Sequence, residues 1–462
     1  MRKAAVLAAG VLLTLMVGAR EWWVDHEKGD DANPGTRERP FRTFARSRQA
    51  LCGGETLHVV PTATPYDEPL GWFNMKDHSG TPERPTIVDG HGAKLTGMRS
   101  YDANAWTNVG DNVWATKIGH NVVCMSGLGH YNGFPFIKLD GRFVPMRGSR
   151  AELGEGEAFF RLCWDSKAQK HDADHGKVFL KLPAGRKPAD FKIEMAQLSN
   201  LRCYCNHIVF RDLHGDWVSA DVFDTERGEG IVFDNVSTDH CMDQGISSHS
   251  TRGCTVMNSH FRNAICGGAL DVTLGPNEYQ NMVYTNCLFD EMRYGIATGA
   301  AFKGTTNMFY RVSNCVSRNC DRYGFETSQG ANVVIEDTRV ENPGLAPTNS
   351  CCAYTVTDDA DVRILRSSAS NCKFAVRYVW GRRTLVCEDC DFTGARNVAD
   401  ISGPRKPGAV VFRRCRFARD TKVFLDHSWQ TPAEAEKKGI GFEDCTFESK
   451  TLEEAVSPRF GF

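Results

Sequence analysis

Val256-Met-Asn-Ser-His-Phe261, Val283-Tyr-Thr-Asn-Cys-Leu-Phe289, Val386-Cys-Glu-Asp-Cys-Asp-Phe392, Val411-Phe-Arg-Arg-Cys-Arg-Phe417 and Gly441-Phe-Glu-Asp-Cys-Thr-Phe447 are copies of one degenerate unit. A short β-rich run leads to a polar residue, a small residue, and soon an apolar one. Anchored on the small residue, the ladder reads Leu213, Val236, Ser259, Cys287, Cys315, Thr338, Ser368, Cys390, Cys415 and Cys445, with steps of 22 to 30 residues. Strand propensity at such a period, with variable insertions and almost no helical pattern, predicts a β-solenoid. A single coil cannot bury its own apolar side chains, so coils stack around one long core, and function lies in a groove across them.

The rest of the chain fits around that repeat. Its 462 residues would suggest several domains by length alone, but a solenoid grows by adding coils. Lys and Arg number 55 against 57 Asp and Glu, so bulk charge gives no reason to expect a nucleic-acid partner. Arg2, Lys3, an apolar stretch from Ala4 to Val17 and the small residues Val17-Gly-Ala19 predict a signal peptide over 1–19. A secreted or periplasmic protein is therefore expected, with no membrane span after cleavage.

Residues 20–99 are expected to begin the solenoid, with Thr43 capping a short helix that Gly53-Gly54 ends. Residues 100–205 break the repeat with alternating runs such as Lys177-Val-Phe-Leu-Lys-Leu182, which predict an inserted antiparallel β subdomain. Residues 206–462 carry the main repeats, interrupted by a short surface helix at Thr431-Pro-Ala-Glu-Ala-Glu-Lys-Lys-Gly439. The laddered cysteines read as small buried hydrophobes, because stacked strands lie about 4.8 Å apart and disulfide Cβ atoms want about 3.8 Å. Cys387 and Cys390 fall three apart, opposite faces of a continuous strand, which argues against zinc there. Bridges, if any, would involve Cys203, Cys205, Cys351 or Cys352.

Asp25, Gly29, Asp31, Asn33-Pro-Gly-Thr36 and Pro40-Phe41, followed by Gly54-Glu-Thr56 and Ser79-Gly-Thr-Pro82, resemble the opening of secreted right-handed parallel β-helix proteins of the pectate-lyase-like superfamily. With the repeats, the resemblance covers most of the chain. It implies a carbohydrate-active protein, hydrolase or lyase, with its groove along one parallel sheet. The inserted subdomain resembles, in pattern only, one carried by some β-helix glycosidases. Against polygalacturonases of the superfamily, Met242-Asp-Gln-Gly245 matches the paired aspartates only in part. No Gly-His-Gly or Arg-x-Lys follows in later coils.

A second strand in each coil, such as Gly245-Ile-Ser-Ser-His249, would line the groove. Alternation puts Ser247, His249, Glu326 and Arg377 outward, and leaves Asp271 dependent on register. Acids and histidines crowd between 212 and 271. Hydrolysis of a glycosidic bond needs two carboxyl groups flanking it, which neighbouring coils can supply. The leading catalytic pair is Asp243 and Asp271, with Asp221 the third candidate. His240 and His249 would position substrate or tune a carboxyl group, and Arg293, Glu326 and Arg377 would bind substrate. Asp216 and Asp239 suit turn capping instead.

Two rival readings stand beside a hydrolase. A lyase would draw its base from Arg293, Lys303, Arg311 or Arg377, with calcium held by the aspartates. A non-catalytic glycan-binding protein would use Trp217, Tyr294, Tyr323, Tyr378 and Trp380 as platforms. The expected partner in each case is a polysaccharide or oligosaccharide.

Overall fold

A computed structural model describes residues 19–117, 136–161, 176–196, 200–264, 267–273, 275, 278–292, 294–300, 308–328, 330–344, 351–403 and 405–448. Residues 1–18 of the expected signal peptide, Arg293 and Lys303 lie outside them.

Three parallel ladders form the solenoid. The first runs from Glu21–Val24 through Thr56–Val59 and Val232–Asp234 to Ile440–Glu443. The second includes Ser237–Cys241, His260–Ala264 and Leu288–Asp290. The third runs from Gly71–Phe73 through Leu201–Cys203, Phe223–Glu226, Gln244–His249 and Gly267–Thr273 to Val423–Leu425. Parallel pairing of strands one coil apart makes this a parallel β-helix, as the resemblance implied.

The corner between the first two ladders explains the sequence signature. Asp212, Asn235, Asn258, Asn286, Asn314, Asp337 and Asp389 all adopt φ between 52° and 56°. Asn and Asp tolerate this left-handed conformation better than other non-glycine residues. Arg366 and Arg414 occupy the same corner at 46° and 48°. Each grips the aspartate one coil earlier with two hydrogen bonds: Arg366 to Asp337 at 2.8 and 2.7 Å, Arg414 to Asp389 at 2.7 and 2.9 Å. Because Arg366 takes the turn, the small residue of that coil is Ser367, not Ser368; the Thr338 amide donates to Ser367 Oγ at 3.1 Å.

The same turn corrects the reading of Cys387 and Cys390. Asp389 turns the chain between them, so both side chains are buried rather than on opposite faces. The described cysteines are unbridged. Cys287, Cys390, Cys415 and Cys445 each donate Sγ–H to a carbonyl of the preceding coil at 3.4–3.5 Å. Aromatic stacks continue the core, with Phe210 on Phe233 and Phe261 on Phe289 at centroid distances of 5.3 Å.

The opening motif folds into turns. Asp25 accepts from the amides of Glu27 and Lys28, and Asp31 from those of Arg42 and Thr43. Thr43 caps the helix Phe44–Ala50 through the Arg46 amide. The late helix is Pro432–Lys437, capped by Thr431 and Glu434.

The chain leaves the solenoid after Thr96 and builds two four-stranded antiparallel sheets, with Trp106, Phe160, Leu180 and Met195 in their core. It returns at Leu201–Cys203, within the span that the sequence reading gave to the insertion. Phe143 and Phe136 of the insert pack on Trp217 of the solenoid, at centroid distances of 4.1 and 5.0 Å. No helix among the described residues is long and apolar enough to cross a membrane.

Candidate functional site

The outer face of the third ladder gathers the polar residues. Trp72 aligns with Arg202, Arg202 with Asp224, and Asp224 with Ser247, each one coil further along. Two positions on, Glu226 aligns with His249. Asp221 and Asp243 stand where the chain enters successive strands of this ladder. Both are only 6% exposed.

Asp221 Oδ1 accepts the Gln244 amide at 2.9 Å, which holds its carboxyl against the chain beside Asp243. Burial, then the charge of Asp243, then that of Asp224, push the Asp221 pKa well above the usual carboxylate range. A buried carboxyl group beside a second carboxylate resists ionisation, so Asp221 holds its proton to higher pH than an exposed aspartate does.

Asp224 is likewise raised by burial, against the pull of His249 and Arg202. Its Oδ2 lies 3.5 Å from Arg202 Nε, and its Oδ1 is buried without a hydrogen-bond partner. His249 meets Ser247 Oγ through Nε2 at 2.8 Å, while its Nδ1 is buried and unpartnered. Burial lowers the His249 pKa despite Asp224 and Glu226, which favours a neutral imidazole. Beside them, burial and Glu226 raise the Tyr204 phenol. The cluster thus joins two carboxyl groups whose burial favours the protonated form to an imidazole whose burial favours the neutral form, beside one guanidinium.

Asp271 does not belong to it. Register pairs it with Ser248 and Thr298 on the inner face, where it is fully buried. Tyr284 Oη donates to its two carboxylate oxygens at 2.9 and 2.7 Å, and burial pushes its pKa up to about 8. Asp271 therefore lies on the inner face, away from the outward row, and the carboxyl group beside Asp243 is that of Asp221.

The other expected residues are spread out. His240 stacks on Trp217 at 3.9 Å and approaches Asp239 Oδ1 at 2.9 Å, at the corner between the second and third ladders. Asp239 and Asp216 sit directly before this corner, and Asp239 accepts from Asn263. Glu326 and Arg377 share the outward row with Asp224, but four and six strand steps along it, about 19 and 29 Å away. There Arg377 meets Tyr323 Oη at 3.2 Å and Asp400 at 3.4 Å. Arg311 lies on the first ladder, paired with Glu336.

The platform residues divide similarly. Tyr378 is fully buried in the core and offers no surface. Trp217 is sandwiched among His240, Phe136 and Phe143. Trp380 is 62% exposed. Trp72, which sequence reasoning passed over, is 63% exposed and leans on Tyr204 at 5.4 Å. Calcium would want several converging oxygens; the metal-capable trio found among the described residues is instead His58, Asp89 and His91, on another face.

No curated protein matches the sequence. A family model described as "Right handed beta helix region" matches residues 222–401. Among solved structures, XylC in complex with xylose is 12% identical, with a TM-score of 0.54 over 87% of this chain and 76% of that one. The pectate lyase Pel9A is 14% identical, covering 88% and 78% with a TM-score of 0.43. An exopolygalacturonase from Thermotoga maritima is 11% identical, covering 84% and 88% with a TM-score of 0.38. The family model and the three-ladder topology agree: this chain is a right-handed parallel β-helix, interrupted by an antiparallel insert.

Proposed function

We propose that this protein is an exported glycoside hydrolase that cleaves a polysaccharide or oligosaccharide bound along the third ladder. The observation that carries this reading is the buried Asp221–Asp243 pair, with Asp224 beside it, on a solvent-facing sheet. A carboxyl group that keeps its proton near neutrality can protonate a glycosidic oxygen, and an ionised neighbour can activate water or attack the sugar. In this reading Asp221 is the acid and Asp243 the base or nucleophile. Arg202 and His249 set the charge of Asp224. Glu326 and Arg377, several coils away, contact distant sugar units. The N-terminal charged and apolar segment directs export.

Trp72 would supply a flat apolar face about 10 Å, two strand spacings, from Asp224. Trp72→Ala is expected to raise KM up to about tenfold and leave kcat near its wild-type value, since a stacking contact contributes roughly 0.5–1.5 kcal/mol. Initial rates over a range of substrate concentration check this.

The reading itself is tested by incubating purified wild type and Asp243→Asn with a panel of polysaccharides. Reducing ends released by the wild type only, without the ultraviolet absorbance of an unsaturated uronate, support hydrolysis at this site. That absorbance would replace the hydrolase with a lyase. Retained glycan binding without product would leave a binding protein.

A further inference from the structure

On the outer face of the first ladder, far from the carboxylate cluster in function and facing a different way, three metal-capable side chains converge. His58 and Asp89 stand on neighbouring strands at paired positions. His91 follows on a Gly90-His91-Gly92 turn, with φ of 49°. One donor atom from each of the three lies within 4.8 Å of the other two.

The rings are already arranged. His58 Nδ1 and His91 Nε2 face each other at 2.8 Å. Trp23 stacks on His58 at 4.2 Å and lies parallel to His91 at 6.0 Å, so the planes of all three rings are fixed. Arg211 bonds to Asp89 Oδ2 at 2.9 and 2.5 Å, while Oδ1 accepts the His91 amide at 3.2 Å and lies 3.4 Å from His91 Nδ1. His58 Nε2 is buried without a hydrogen-bond partner, and Glu21 Oε2 stands 3.8 Å from it.

That pattern suits a metal better than a bare histidine pair. In the pair one nitrogen must donate to the other, and when His58 Nδ1 is the donor its Nε2 carries no proton. A cation held by His58 Nδ1 and His91 Nε2 would move the shared proton to His58 Nε2, where Glu21 can receive its hydrogen bond. Imidazoles that bind metals usually point their second nitrogen at a carboxylate in this way. Two nitrogens and one carboxylate oxygen with a fourth position open to solvent match the donor set of zinc, whereas calcium and magnesium prefer oxygen alone.

We propose that His58, Asp89 and His91 form a Zn²⁺ site that ties together the first coils of the solenoid. The exposed His91 closes on the cation, while the partly buried His58 and the buried Asp89 hold their places. Closure moves the facing nitrogens apart by a few tenths of an ångström, which the glycine-flanked turn permits. The site does not depend on the proposed hydrolase, and glycan cleavage is not its readout.

The test uses the full chain without a polyhistidine tag, stripped with a chelator and titrated with Zn²⁺ by calorimetry, and with Co²⁺ by visible absorbance. One equivalent should bind, with the intense visible bands of four-coordinate cobalt. The melting temperature should rise with Zn²⁺, because a ligand that binds only the folded state stabilises it. His91→Asn keeps a residue that tolerates the left-handed turn, and should weaken binding by at least about tenfold. His58→Gln should do the same, and circular dichroism checks that both variants fold. Absence of stoichiometric binding to the wild type would overturn the proposal. So would affinity unchanged in His91→Asn.

Discussion

Asp221→Asn is expected to lower kcat by about 10²–10⁴-fold, the usual contribution of a positioned general acid. The amide oxygen can still accept the Gln244 hydrogen bond that Asp221 Oδ1 accepts now, so the fold and KM should change little. Initial rates on whichever substrate the panel identifies give the number. A loss of less than tenfold would remove Asp221 from the acid role. The pH profile adds a signed check. Burial, Asp243 and Asp224 all raise the Asp221 pKa, so activity should persist above the pH at which an ordinary carboxyl ionises, then fall as Asp221 loses its proton. Asp224→Asn removes one of those negative neighbours and makes ionisation easier. Its alkaline limb should therefore shift to lower pH, whereas a purely structural role for Asp224 would leave the limb in place.

The fold was legible because each coil repeats one physical requirement. The chain must turn through a left-handed corner and then bury a small residue, and Asn286-Cys287 or Asp389-Cys390 state this plainly. The ladder slipped at Ser368 because Arg366 takes the corner, a residue whose tolerance there depends on Asp337 one coil away. The same blindness to corners separated Cys387 from Cys390, since a strand rule cannot see the turn between them.

The site was half legible. Local density of acids marked Asp221 and Asp243, but their pairing depends on register. Gly267-Gly-Ala-Leu-Asp271 has too little alternation to say which face Asp271 takes. Arg202, Tyr204 and Trp72 were missed for a topological reason. Leu201–Cys203 continues a sheet begun at Gly71–Phe73, and the whole insert lies between them in sequence. No local pattern connects residues 130 apart, and the one local signal is the polar–aromatic alternation Leu201-Arg-Cys-Tyr204.

Asp271→Asn should stabilise the protein at neutral pH, the opposite of what losing a catalytic or paired carboxylate would suggest. Burial raises the Asp271 pKa from its ordinary 3.8 to about 8, with Tyr284 opposing. Below pH 3.8 the acid is protonated folded or unfolded and contributes no pH dependence. Between 3.8 and 8 the unfolded chain releases the proton and the folded chain keeps it, so stability falls as pH rises. Each pH unit in that window costs about 1.4 kcal/mol, or roughly 4 kcal/mol between pH 4 and 7. An asparagine carries no such penalty, and its carbonyl oxygen can still accept from Tyr284 Oη. Urea unfolding of wild type and Asp271→Asn at pH 5 and pH 8 measures the difference. The variant should gain with pH, by several kcal/mol at the upper end, and should keep its glycan-cleaving rate. A variant destabilised equally at both pH values would show that the carboxylate is ionised in the core. Lost activity in a folded variant would return Asp271 to the catalytic pair.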